Sequence, residues 1–536
     1  INYAGFYADC DHEVKPLTSG VRVCLVYNLI QQKAGKMMKP LSLQTNANKL
    51  AGLFTENNSL NLPYIILLGH QYTPANFSEQ ALKLNDRAKA EALLLAAKQA
   101  GYYAKFCLVT SYLTGSPEYN DHYDENDTEM GEVFEEDLYI EHWLDHKLPT
   151  FDYISFEENQ LITSFRLNEE EPLIKESTGY MGNYGPDVMH WYHYGAMMIW
   201  SPEVNAQLLL AQNTATQLRW ISYFNSVEKI SDAEVMAIED ILINGFESRY
   251  RGGKKEDFNV VANWLINRNE KTFLINLNRE RLQFFFVKID TDSWIRLLQF
   301  MAVEHTKRLF EKIIEQVTLP VLEKLLEVLN AMTDKAELKP IAIEQTILLP
   351  DLFQSVHANT SREINATAIS DLFQLTQIPT EKEWTNEIFE TITEKPNWEY
   401  LHKVLVPQLM AATNPSGLTE KLLSFCHEYL QKRVNNKPQP PADWSRSLPE
   451  TKNSKAQWQI LKDFLESPSE IVFDFRRKQM ERTDMEAAIR NVVIDLKTET
   501  IRKGSPHILR ISKTQDAYNR LLKNWLTDVA LLGRLK

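Results

Sequence analysis

The sequence predicts an α+β protein, with strands gathered early in the chain and helices running from its middle nearly to its end. Two observations carry this. Residues 21–29 alternate strictly: Val21, Val23, Leu25, Tyr27 and Leu29 fall on one face, Arg22, Cys24, Val26 and Asn28 on the other, which is the period of a strand. After Pro202 the apolar period lengthens. Trp294, Leu297, Leu298 and Met301, and again Leu322, Leu325, Leu326 and Leu329, follow the spacing of a helix that buries one stripe.

The elements follow in order. Residues 4–30 read as two strands joined at Thr18-Ser19-Gly20, where Gly20 is free to take positive φ. Residues 33–200 read as mixed α and β. Residues 64–70 form a short buried strand, and 86–100 an Ala/Leu-rich helix stopped by Gly101. Residues 102–112 form a further strand, and the aromatic stretch 191–200 a buried one stopped by Ser201-Pro202. Between them, residues 118–141 are densely acidic and read as a solvated loop. From Pro202 the helices suggest an array without a clean repeat period. Residues 435–443, with Pro438, Pro440 and Pro441, read as a stiff linker. Further helix, a strand at 507–511 and a last helix from about Asp516 complete the chain.

Composition excludes some classes. At 536 residues the chain has room for three or four domains of about 150 residues each. A formal charge of −14 argues against a dominant nucleic-acid role, which rests on clustered Lys and Arg. No apolar run approaches the ~20 residues that cross a bilayer, so no membrane partner is expected. Cys10, Cys24, Cys107 and Cys426 show no metal-type pairing and read as free thiols in a reducing, cytoplasmic setting. The chain opens on Ile1 rather than Met, in strand-like sequence, so the expectation is that part of the protein precedes it.

The residues that carry chemistry are Asp11-His12-Glu13-Val14-Lys15-Pro16 and Gly20-Val21-Arg22. An oxygenase using iron(II) and 2-oxoglutarate needs a facial triad of two His and one carboxylate, with positions left open on the metal. It also needs a cation for the far carboxylate of the co-substrate, and Arg is the best bidentate partner. His12 and Arg22, facing each other across one hairpin, meet that requirement. The longer run, Phe6-Tyr7-Ala8-Asp9-Cys10-Asp11-His12-Glu13-Val14-Lys15-Pro16 with Ser19-Gly20-Val21-Arg22 and Tyr27-Asn28-Leu29, resembles the last strands of the prolyl 4-hydroxylase-like oxygenase barrel. Leu68-Gly69-His70-Gln71-Tyr72-Thr73, Ala81-Leu82-Lys83-Leu84-Asn85-Asp86-Arg87, Gly182-Asn183-Tyr184-Gly185, Trp191-Tyr192-His193-Tyr194-Gly195-Ala196, Ile199-Trp200-Ser201-Pro202, and Arg502-Lys503-Gly504-Ser505-Pro506-His507 with Lys513-Thr514 and Tyr518 resemble later segments of a long subgroup of that family.

This resemblance implies that residues 1–32 are the closing strands of a double-stranded β-helix (jelly-roll) barrel. Residues 33–203 would then be a family-specific α/β region, 204–434 a helical array, and 435–536 a linker with a helical and strand tail. It implies that His12 is the distal iron ligand and Arg22 the 2-oxoglutarate-binding cation. Iron(II), 2-oxoglutarate and ascorbate are the cofactors implied, hydroxylation of a protein side chain such as proline the reaction. The first His and the Asp of the family's His-x-Asp pair are expected upstream of this chain, which alone would be inactive. A protein substrate or partner is expected on the helices. The rival reading is a non-catalytic interaction protein with a remnant barrel.

Other histidines have plainer explanations. His122-Tyr123-Asp124 spells His-x-Asp, but it follows His12 where the barrel order demands precedence, and it lies in acidic sequence. His70 reads as a strand-end histidine, and His190 and His193 as packing partners of Trp191, Tyr192 and Tyr194.

Overall fold

The computed structural model describes residues 15, 17–21, 23, 41–56, 62–70, 72, 77–79, 82–118, 129–144, 148–178, 186–246, 257–360, 362–376, 382–394, 397–412, 416–451 and 454–535. They divide into two compact units, residues 1–305 and 306–536.

The first unit is built on a mixed sheet. Its described strands are β1 (Tyr64–Leu67), β2 (Tyr103–Pro117), β3 (Met130–Trp143), β4 (Ile154–Ser155), β5 (Leu161–Ile162), β6 (Ile174–Ser177) and β7 (Val188–Trp200). They lie in the order β4-β3-β2-β7-β1-β5, and β6 also pairs with β7. Only the β1–β5 pair is parallel among them. Strand β7 is the hub. It pairs with β2 along its whole length, while its other edge takes β6 at Val188–Trp191 and β1 at Ala196–Ile199.

Helices α1 (Leu41–Glu56) and α2 (Leu84–Ala100) cover one face of this sheet. There Ile66, Leu68, Phe106, Leu108, Met197 and Ile199 pack against Ala47, Phe54, Leu93 and Ala96. Helix α2 ends as its sequence predicts: Gly101 adopts φ +74°, a left-handed cap that a side chain would strain. The opposite face buries Trp200, Phe151 and Trp220. The chain turns from β7 into α3 (Pro202–Leu210) at Ser201, whose hydroxyl accepts from the Val204 amide, with Pro202 in the first turn. Helices α4 (Thr214–Phe224) and α5 (Asp232–Asn244) follow. Buried Glu234 of α5 accepts from Tyr103 on β2 (2.6 Å) and from Asn205 (2.8 Å), tying α3 and α5 to the sheet. Shorter helices continue from Asn259 to Phe300.

Strand β3 corrects the reading of residues 118–141 as a solvated loop; residues 119–128 lie outside the described ones. Residues 131–137 are exposed on both faces, so their charges stay in water while the backbone pairs with β2. Burial begins only at Leu138 and Ile140. Of the strands expected in residues 4–30, only Lys15, Leu17–Val21 and Val23 are described. Thr18–Gly20 form a bend there, with Gly20 at φ +88°.

The second unit is helical up to Asn435. It holds helices Leu319–Thr333, Lys339–Ile347, Leu349–Asn359, Ala366–Leu375, Lys382–Thr393 and Gly417–Asn435, with a π-helical segment at Leu401–Leu405. Leu322, Leu325, Leu326 and Leu329 are buried as their spacing predicts. Residues 437–451 carry neither helix nor strand. Beyond them β8 (Val472–Arg476), β9 (Leu496–Ile501) and β10 (Ile508–Lys513) form an antiparallel sheet in the order β8-β10-β9. Its core joins Phe475, Leu509 and Ile511 to Trp458, Leu461, Met485 and Ile489 of two helices. The last helix, Asp516–Arg534, begins where the sequence predicts.

Candidate functional site

His12 and Arg22 lie outside the described residues, as do Cys10, Cys24, His122 and Asp124. Among the described residues no three His, Cys, Asp or Glu side chains gather as a metal would require. Cys107 and Cys426 are free and buried, and burial raises both thiols, Cys426 to about 12. The sequence-weighed histidines that are described, His70, His190 and His193, part company.

His70 belongs to a buried carboxylate hub. Asp86, in the first turn of α2, is 2 % exposed and takes four donors. The Gly69 amide reaches Oδ1 at 2.7 Å, and the His70 amide (3.0 Å), His70 Nδ1 (2.8 Å) and the Tyr72 hydroxyl (3.0 Å) reach Oδ2. Tyr72 in turn accepts from the Lys83 amide, and Lys89 donates to the Leu67 carbonyl (2.7 Å). Strand β1 is thereby clamped to the start of α2. Burial pushes the Asp86 carboxyl up, but the Gly69, His70 and Tyr72 donors outweigh it and hold it below the usual carboxylate range. An ionised Asp86 accepts only, so His70 Nδ1 is the donor in this contact. The His70 side chain is about a third exposed. Among the described residues no Ser, Cys or Thr hydrogen-bonds to the ring.

The hub rests on the same sheet face that α1 and α2 cover. Tyr72 lies over Gly195 of β7, where an added Cβ would stand 2.5 Å from the Tyr72 ring. Further along β7 that face opens. Register sets its rows across three strands. Tyr139, Thr110 and His193 are direct partners in one row, and Asp137, Tyr112 and Trp191 in the next. Paired residues point to the same side. His190, an odd number of residues from His193, faces the other side, where it is buried against Tyr192.

At this open end two polar atoms have no hydrogen-bond partner among the described residues: Thr110 Oγ1, on a fully buried residue, and His193 Nδ1 beside it. Burial, with His142 adding to it and Glu141 opposing it, lowers the His193 pKa, so the ring is neutral near pH 7.

The second unit holds a comparable carboxylate. Asp528 on the last helix is buried and takes Trp398 Nε1 (2.7 Å), His402 Nε2 (2.6 Å) and Arg433 Nε (2.9 Å), donors from three different segments. His402 stands in the π-helical segment and is itself buried, so this cluster acts as a clasp rather than an opening to solvent. Beside these helices lies a groove of about 760 Å³ whose lining includes Leu319, Leu322, Phe353, Val356, His357 and Tyr400.

Sequence reasoning placed His70 at a strand end but missed its partner. Asp86 lies sixteen residues away, and only the pairing of a strand-end Gly-His with an Asp in the following helix's first turn could have signalled the hub. No family model matches the chain, and no curated protein or solved structure matches it.

Proposed function

We propose that the chain is the C-terminal part of an iron(II)/2-oxoglutarate-dependent oxygenase of the prolyl 4-hydroxylase-like group, with His12 as an iron ligand and Arg22 holding the far carboxylate of 2-oxoglutarate. The observation that carries the reading is the run His12-Glu13-Val14-Lys15-Pro16 followed by Gly20-Val21-Arg22. The bend at Thr18–Gly20, with Gly20 at φ +88°, suits the turn that would bring these two residues onto neighbouring strands of a jelly-roll barrel. Iron(II) and 2-oxoglutarate would supply the oxidising power, and the chain its ligation and orientation. The described residues offer no metal cluster, and one imidazole does not retain iron(II), so a His-x-Asp pair ahead of His12 is part of the proposal.

A macromolecular substrate or partner docked on the helices completes this reading. The groove beside Phe353 and Tyr400 supports it, because helical arrays present extended surfaces of this kind. The same groove favours the second reading, a non-catalytic interaction protein. Succinate formation separates the two. In a polypeptide carrying a His-x-Asp pair ahead of His12, 2-oxoglutarate turnover should require iron(II). His12→Ala should lower iron affinity and turnover together, beyond rescue by extra 2-oxoglutarate. Turnover that survives His12→Ala, or no turnover in the unaltered protein, contradicts the oxygenase reading.

A further inference from the structure

The open end of the sheet face has a composition of its own. Three half-buried rings, Tyr139, Tyr112 and Trp191, stand in adjacent rows on three neighbouring strands. The Tyr112 and Trp191 rings are 5.0 Å apart. A fourth ring, Tyr153, is 52 % exposed and stacks on Tyr139 at 5.3 Å. Together they form a continuous aromatic strip.

Carboxylates border it. Asp137 shares a row with Tyr112 and Trp191, and the next row holds Glu135, Thr114, Met189 and Glu176, with both glutamates exposed. Glu141 occupies the bulge beside His142; burial raises the Tyr139 and Tyr153 hydroxyls, with Glu141 adding to both and Asp137 to Tyr153. Among the described paired positions the ring-bearing face carries no Lys or Arg; Lys105 and Lys175, partners of Met198 and His190, fall on the other face. The other face of the same strands is buried at Val109, Leu113, Leu138, Ile140 and Val188, so the rings are not needed to fill a core there.

Aromatic faces carry negative quadrupole density, and the neighbouring carboxylates add full negative charge; among the described residues no Lys or Arg forms an ion pair with Asp137, Glu135, Glu176 or Glu141. We infer that this strip binds the Lys or Arg side chains of a basic peptide segment, each cation seated on a ring and steered by Asp137, Glu135, Glu176 and Glu141. Exposed β3, lying along the strip, gives such a segment room to run extended. The inference stands on the described sheet alone and does not depend on the oxygenase reading.

The test is calorimetric titration of the chain with a short peptide of alternating lysine and glycine, beside peptides in which glutamate or glutamine replaces lysine. The lysine peptide should bind saturably and the other two should not. Tyr153→Ala should weaken binding by roughly three- to tenfold, the loss of one cation–π contact. Tyr153→Phe, which keeps the ring, should bind as the unaltered chain does. Asp137→Asn with Glu141→Gln should weaken binding by at least as much as Tyr153→Ala. Glu387→Gln with Glu390→Gln removes the same charge from exposed positions elsewhere and should change little. All altered positions are exposed, and unchanged thermal unfolding will confirm that each variant is folded. Absence of binding, equal binding of the glutamine peptide, or equal weakening by the Glu387/Glu390 pair would overturn the inference, the last because it reports only general charge attraction.

Discussion

The two ends of one sheet face treat buried polar groups in opposite ways. Under α1 and α2, Asp86 is nearly inaccessible and takes four donors. Two strand pairings away, at the open end, Thr110 Oγ1 and His193 Nδ1 sit side by side with no partner among the described residues. An unsatisfied buried group costs about 1–3 kcal/mol, so the open end gives up stability that the covered end secures. The difference teaches where selection for folding ends: the covered end is built to hold β1 against α2, the open end to keep rings and charges facing outward.

The largest test of this contrast removes the acceptor at the covered end. Asp86→Ala strands two amides, a ring N–H and a hydroxyl, and should lower the free energy of unfolding by about 3 kcal/mol. The midpoint of chemical unfolding measures it. The pH dependence should change with it. Because the folded state holds Asp86 below its ordinary 3.8, its contribution is complete above that value and is lost as pH falls through the lower folded value. Asp86→Ala should therefore flatten the acid limb of the stability profile. A loss below about 1 kcal/mol would mean that the hub is not what clamps β1.

At the open end the expected pH effect lies higher. Burial lowers the His193 pKa from 6.5, so the unfolded chain takes up a proton before the folded one does. Stability should be constant above pH 6.5 with respect to this residue and fall below it. His193→Phe should abolish that component, and an unchanged profile between neutral and mildly acidic pH would contradict the assignment. The smallest effect is also the most diagnostic in sign. Thr110→Val discards an unpaired hydroxyl at equal volume and should stabilise the fold by up to about 1 kcal/mol. Destabilisation by that amount would show that the hydroxyl is satisfied in solution.

Legibility followed the same divide. Strand β7 and helix α2 were readable because their stops are local: Ser201-Pro202 caps one junction and Gly101 the other. Strand β3 was not, since seven consecutive exposed residues gave its acidic sequence no alternation until Leu138. Strands β8 and β9 escaped for a related reason, being short and largely polar on their outer positions. In the site, His70 was visible as a strand end, whereas Asp86 needed the packing of α2 on β1. The aromatic strip needed the register of β2 with both β3 and β7, because Tyr139, Tyr112 and Trp191 have no spacing in common.

Neither end of the sheet decides the chemistry proposed for the chain; Arg22 does. The most direct measurement is a titration of 2-oxoglutarate against succinate formation, in a polypeptide carrying a His-x-Asp pair ahead of His12. Arg22→Ala would leave the co-substrate carboxylate without its cation at a cost of roughly 3–5 kcal/mol, or on the order of a hundred- to several-thousand-fold in apparent affinity. Iron binding without 2-oxoglutarate should survive, and Arg22→Lys should recover part of the loss by restoring charge without the bidentate fork. An Arg22→Ala protein that titrates like the unaltered one would contradict the assignment of Arg22 and, with it, the oxygenase reading of the hairpin.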